Sequence, residues 1–164
     1  MSGVARAGAE DIGKQAPALV GSQWINPQQK DAVKFEGFKG HVTVLHFWTF
    51  SCINCKHNLP YYDKWVSAYD PKEVQIVGVH TPELDFEHDP AQLRAAIRHL
   101  GIRFPVLVDG DGENWNRYNQ HYWPTVYLID KTGKVRDVWE GELEYQGQQG
   151  FEKLSREVEV LRKE

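Results

Sequence analysis

Apolar and polar positions change rhythm several times along this chain. The stretch GHVTVLHFWTF, Gly40 to Phe50, is β-branched and aromatic with few polar breaks, which predicts a strand buried on both faces. From Cys52 the rhythm becomes helical: Leu59, Tyr62, Trp65, Val66 and Tyr69 share one face, Asp70-Pro71 ends the segment, and Pro60 inside it predicts a kink. Glu73 to His80 predicts a second buried strand, followed by TPELDFEHD, an acidic and solvated loop. Asp89-Pro90 has the form of an N-cap and first-turn proline for a helix that runs to Leu100, with Gly101 as its cap. Phe104 to Asp109 predicts a third strand and GENWNRYNQ a short helix. TVYLID and KVRDVWEG predict two strands joined by a Lys131-Thr132-Gly133 turn, and Phe151, Leu154, Val158 and Leu161 mark a closing amphipathic helix over Gly150 to Lys163. Towards the N-terminus, residues 1–15 are expected as a flexible leader, with short edge strands at Pro17 to Trp24 and Val33 to Phe35 around a loop.

The resulting order is β-α-β-α-β, a short helix, a hairpin and a final helix. It predicts a single α/β domain over residues 16–164, with right-handed parallel crossovers in its first half and an antiparallel edge from the hairpin. At 164 residues and 41% hydrophobic, the chain can bury one sizeable core. The net charge of −4 provides no basic stripe for nucleic acid. No apolar run approaches the roughly 18 residues that span a bilayer. The leader MSGVARAGAEDIGKQAP lacks the apolar core of a signal peptide, so the chain is either cytoplasmic or separate from a targeting or membrane segment.

The chemistry concentrates in HFWTFSCINCKHNLP, His46 to Pro60, which holds both cysteines of the chain, Cys52 and Cys55. The pair stands where the first buried strand gives way to a helix, the carboxyl-end corner at which open α/β sheets place their sites. Unpaired N–H groups and the dipole at a helix start favour thiolate at Cys52. Lowering a thiol from about 8.5 to about 6.5 takes roughly 2.7 kcal/mol. A helix end supplies about 0.3–1 kcal/mol, so hydrogen bonds to the sulfur, including one from Cys55, must supply the rest. Spacing of three puts Cys55 on the same helix face, within reach to resolve a mixed disulfide formed at Cys52. A zinc site would need a second cysteine or histidine pair; His41, His46, His57, His80, His88, His99 and His121 form none. No metal and no cofactor is expected, and inert buried cysteines are the other alternative.

These residues resemble the thioredoxin fold. FWTFSCINC matches that family's strand-end tryptophan, here Trp48, before C-x-x-C, and Pro60 matches the proline in its active-site helix. YWPTVYLID, Tyr122 to Asp130, matches the segment carrying the family's cis-proline, which implies a cis bond at Pro124. Within the superfamily the chain is most similar to the TlpA-type branch and, inside it, to the soluble redoxin domain of DipZ-type proteins. WTFSCINC, VGVHTPE, RFPVLVD and YWPTVYLIDKTGKV carry that similarity over about Gly13 to Gly141, with Asp89 to Gly101 as the branch's central helical insertion. The resemblance implies a thiol–disulfide oxidoreductase, Cys52 the nucleophile and Cys55 the resolver. Its partners would be disulfide- or dithiol-containing proteins and an electron-donor redox protein such as a membrane-bound one. It implies reductant action, a monomer and an extracytoplasmic setting. Two family acids are missing: His46 stands six residues before Cys52, where thioredoxin has a buried Asp, and Asn58 six after it, where TlpA-type reductases often carry Glu. Glu83 and His46 are therefore the candidates for the resolver's proton. Phe50, Tyr122 and Trp123, with Trp48, are expected as an apolar floor around the pair. Two rival functions stay open, a thiol peroxidase on Thr49-x-x-Cys52 (with Leu45 at that pattern's proline position) and a non-catalytic binding module.

Overall fold

The computed structural model describes residues 8–25, 35 and 37–164. The first buried run forms β2 (Val42–Trp48), and all seven of its residues are buried. It pairs in parallel with β3 (Val74–His80), which pairs in parallel with β4 (Val106–Val108). On the other flank β2 pairs antiparallel with β5 (Thr125–Ile129), and β5 with β6 (Val135–Glu140). A short β1 (Trp24–Ile25) runs antiparallel to β4, so the six-stranded sheet has the order β1-β4-β3-β2-β5-β6.

Period-2 alternation divides the core. On β2, Val42, Val44 and Trp48 face a cluster built with Tyr62 and Trp65 of α1 (Ile53–Ala68), Leu93 and Ile97 of α2 (Pro90–His99), and Leu154, Val158 and Leu161 of α4 (Gly150–Lys163). Leu45 and Phe47 face the other side, against Val77, Leu107, Tyr127 and Tyr118, the last following α3 (Glu113–Arg117). Asp89 caps α2 by accepting the Ala91 N–H at 2.9 Å. The Lys131-Thr132-Gly133 turn closes on Asp130, whose Oδ1 accepts the N–H groups of Thr132 and Lys134; Gly133 takes a φ of 86°, which favours glycine. The chain belongs to the α/β class with a thioredoxin-like fold, helices flanking a mixed sheet.

Three expectations near the N-terminus change. Of the expected leader, residues 8–15 lie on the hairpin: Gly13 N–H donates to Val135 O at 2.7 Å, and Val135 N–H to Lys14 O at 2.9 Å. The edge strand expected at Pro17 to Trp24 is confined to Trp24–Ile25, because only there does the backbone meet an open edge, that of β4. Most of the strand expected at Val33 to Phe35 lies outside the described residues, and Phe35, which is described, is not in a strand. The acidic loop contains a 3₁₀ turn, Asp85–His88, that buries Glu87.

Candidate active site

Strand β2 ends at Trp48, the chain turns through Thr49, Phe50 and Ser51, and Cys52 becomes the N-cap of α1. The Cys52 Sγ takes the place of a capping oxygen, accepting the Cys55 N–H at 3.2 Å. Cys52 is half-buried; Cys55, one turn on, is buried, on the same stripe as Asn58, Tyr62 and Trp65. The two thiols differ as this placement dictates. The Cys55 thiol hydrogen-bonds the Cys52 sulfur; together with the N–H groups of Cys55 and Asn54 this outweighs partial burial and the Glu83 charge, bringing Cys52 down to about 7. Burial pushes Cys55 well above the ordinary thiol range, and its hydrogen bond to Cys52 and the charge there add to the rise.

Immediately before β5, the Trp123–Pro124 peptide is cis, as the resemblance implies. Trp123 stacks on Trp115 at 3.9 Å, and its indole N–H donates to Thr81 O at 2.9 Å. The Thr81 hydroxyl in turn donates to buried Asp109 at 2.7 Å, whose other oxygen holds the start of α3. The aromatic floor is thereby redrawn. Tyr122 is exposed and Phe50 half-buried, whereas Trp48 is sealed at 1% exposure and belongs to the core beneath.

The two proton-transfer candidates lie in unlike places. Glu83 is exposed, and its charge reaches Cys52. His46 is completely buried, stacked on Tyr62 at 3.8 Å and edge-on to Phe104 at 4.6 Å. Neither of its ring nitrogens has a hydrogen-bond partner among the described residues, and burial lowers its pKa to about 3. Of the two, Glu83 acts on Cys52 through its charge, and His46 is sealed in the core as a neutral ring. Asn58, six residues after Cys52, cross-links the helix to the segment after β6: its amide donates to Gly141 O at 3.2 Å and accepts the Leu143 N–H at 2.8 Å.

A model of the AhpC/TSA family matches residues 12–138. The chain belongs to the AhpC/TSA family. This AhpC/TSA protein is 37% identical over 131 residues to DipZ of Mycobacterium tuberculosis, a match covering 79% of the chain and 19% of DipZ. It is 30% identical over 132 residues to the thiol-disulfide oxidoreductase ResA of Bacillus thuringiensis, covering 80% of the chain and 71% of ResA. A thiol-disulfide isomerase from Corynebacterium glutamicum superposes with a TM-score of 0.73 at 26% identity, covering 91% of the chain and 97% of the isomerase. The chain thus spans about a fifth of the DipZ proteins it matches. By family it is an AhpC/TSA protein, and it is similar in sequence and fold to proteins named thiol-disulfide oxidoreductases and isomerases.

Sequence reasoning missed a polar junction behind Cys52. Glu87, 2% exposed, accepts the Ser51 N–H at 3.3 Å and the Ser51 hydroxyl on Oε1, and the N–H groups of Glu83 and Leu84 at 2.7 and 2.9 Å on Oε2. Burial alone would raise this carboxyl. The hydrogen bonds from Ser51, Leu84, Glu83 and Thr49 prevail and hold it below the ordinary carboxylate range. Next to it, His80 Nε2 accepts the Phe50 N–H at 3.3 Å; an amide can only donate, so that nitrogen is unprotonated, and burial keeps His80 down at about 4. One signal was present in the sequence: a Glu three residues after Leu84 can reach back to that residue's N–H, half of a capping box.

Proposed function

We propose that this protein exchanges disulfides with partner proteins through a reversible Cys52–Cys55 couple, acting as a reductant. The observation that carries the reading is the unequal thiol pair: a half-buried Cys52 at the mouth of α1 brought to about 7, backed by a buried, protonated Cys55. In the reducing direction the Cys52 thiolate attacks one sulfur of a partner disulfide. That S–S bond breaks, and the leaving sulfur departs as a thiolate and takes a proton. Cys55 then gives up its proton and attacks Cys52 Sγ, releasing the second partner thiol and closing Cys52–Cys55. Two electrons pass from the dithiol to the partner. Glu83, whose charge reaches Cys52, is the acceptor proposed for the Cys55 proton. The exposed side chains of Ile53 and Tyr122, with buried Pro124 between strand and turn, offer an apolar surface for an extended partner segment.

A second redox protein must restore the dithiol. The TlpA-type resemblance supports an extracytoplasmic site of action and a membrane-bound donor; among the described residues no helix is long and apolar enough to cross a membrane. Monomeric action belongs to the same reading. The test is mixed-disulfide trapping with a disulfide-bonded partner: Cys55→Ser accumulates the adduct and Cys52→Ser does not, whereas equal trapping contradicts the roles. Equilibration against glutathione then separates a reductant from an oxidant. Peroxide-dependent turnover in a thiol-coupled assay would favour the peroxidase alternative instead.

A further inference from the structure

Glu87 is in contact with both sides of a seam. One carboxylate oxygen holds the turn that carries Cys52, through the N–H and hydroxyl of Ser51; the other holds the acidic loop, through the N–H groups of Glu83 and Leu84. These partners lie 36, 4 and 3 residues away in sequence, so one buried side chain joins two segments far apart in the chain, next to the edge-on contact of Phe50 with Phe86 at 5.8 Å. We infer that Glu87 is a positioning residue for the redox pair: its carboxylate staples the nucleophile's turn to the acidic loop and so fixes how close Glu83 stands to Cys52. The inference rests on the reading of Cys52 as nucleophile.

The groups whose charge reaches the thiols are few. Glu83 acts on Cys52 and Glu87 on Cys55, both opposing ionisation, and the Tyr62 hydroxyl of α1 is coupled to both thiols. His80, from β3, packs behind Phe50, with His88 and Asp109 beyond it. Holding Glu83 near Cys52 has two effects. It restrains the acidity that the Cys55 hydrogen bond confers, and it keeps a proton acceptor in place for the resolving step. Without the staple, the freed N–H groups of Glu83 and Leu84 would turn to water and carry the Glu83 charge away from the sulfur.

The test is the pH profile of Cys52 alkylation in four chains: parent, Glu87→Met, Glu83→Gln and the double variant. Methionine keeps the volume and removes the acceptor contacts to Ser51, Glu83, Leu84 and Thr49. Glu87→Met is expected to lower the alkylation midpoint and make Cys52 about two- to threefold more reactive below it, the scale of a screened Coulomb effect from one exposed carboxylate. In the Glu83→Gln background the same substitution is expected to move the midpoint clearly less, since the Glu83 charge it would displace is gone and only the charge of Glu87 itself is removed. A global loss of stability would not shift a midpoint, so thermal unfolding is recorded alongside. Because Glu87→Met leaves buried donors unpaired, Ser51→Ala, which removes one donor alone, is measured in both backgrounds; a smaller shift in the same direction, absent with Glu83→Gln, supports the staple. No shift, or an equal shift with and without Glu83, overturns it while leaving the thiol roles intact. An ordinary midpoint near 8.5 in the parent instead overturns the functional reading itself.

Discussion

The floor beneath α1 and the junction behind Cys52 each seal an ionisable side chain away from water, with opposite results. In the floor, His46 sits among Tyr62, Phe104 and Trp48 with no hydrogen-bond partner among the described residues, and burial alone leaves it neutral. At the junction, Glu87 is almost as deeply buried yet remains charged, because Ser51, Glu83 and Leu84 direct four donors at it. Burial sets the cost of a charge, and local donors decide whether the charge survives. The floor therefore resists through packing and the junction through hydrogen bonds.

The comparison breaks most readily at the floor. Phe104→Ala, which opens a cavity against His46, Trp48 and Tyr62, is expected to cost about 3–5 kcal/mol in chemical denaturation. A cost under about 1 kcal/mol would show that the floor is loosely packed. The next effect is acid lability. His46 and His80 have folded pKa values lowered to about 3 and about 4, below the unfolded value of 6.5. The unfolded chain then binds more protons as pH falls, so their stabilising contribution is complete above 6.5 and is lost progressively down to the folded values. Between pH 6.5 and 4.5 each histidine should remove about 2–3 kcal/mol. His46→Leu should flatten the pH dependence by one histidine's share, and an unchanged slope would place protons on His46 in the folded state. Gly78→Ala follows. A methyl there would stand 2.7 Å from the Phe104 ring, 2.9 Å from Trp48 Nε1 and 3.0 Å from His46 Nε2, and should cost about 1–3 kcal/mol by overpacking. The smallest effect belongs to the junction. Thr49→Val removes a buried hydroxyl that lies 3.3 Å from His80 Nε2 and hydrogen-bonds Glu87, and should cost about 1 kcal/mol. A Thr49→Val cost above that of Phe104→Ala would invert the contrast between the two regions.

Legibility from sequence followed the same division. Packing leaves a periodic trace, so β2, β3, α2, the hairpin and α4 could be read from alternation and helical spacing, with α4 found over Gly150–Lys163 as expected. The cysteine pair and Pro124 were legible because spacing and motif are local. Glu87 was not. In sequence it is one acid in TPELDFEHD, and what distinguishes it is a contact with Ser51, 36 residues earlier. His46 was legible as a buried position on a strand. Its proton-transfer candidacy rested on a neutral-range pKa, and that depends on partners which only the packed structure reveals to be absent. The β1 edge failed for a related reason: Pro17 to Trp24 reads as a strand in composition, but pairing requires a free neighbour, and β4 offers one only at Trp24–Ile25.

One measurement bears on all of this most directly: site-resolved alkylation of the reduced protein across pH, with each cysteine followed by mass spectrometry. Cys52 is predicted to react with a midpoint at about 7 while Cys55 stays unmodified through the same range. Two thiols titrating together near 8.5, or Cys55 reacting first, would contradict the division of labour between them.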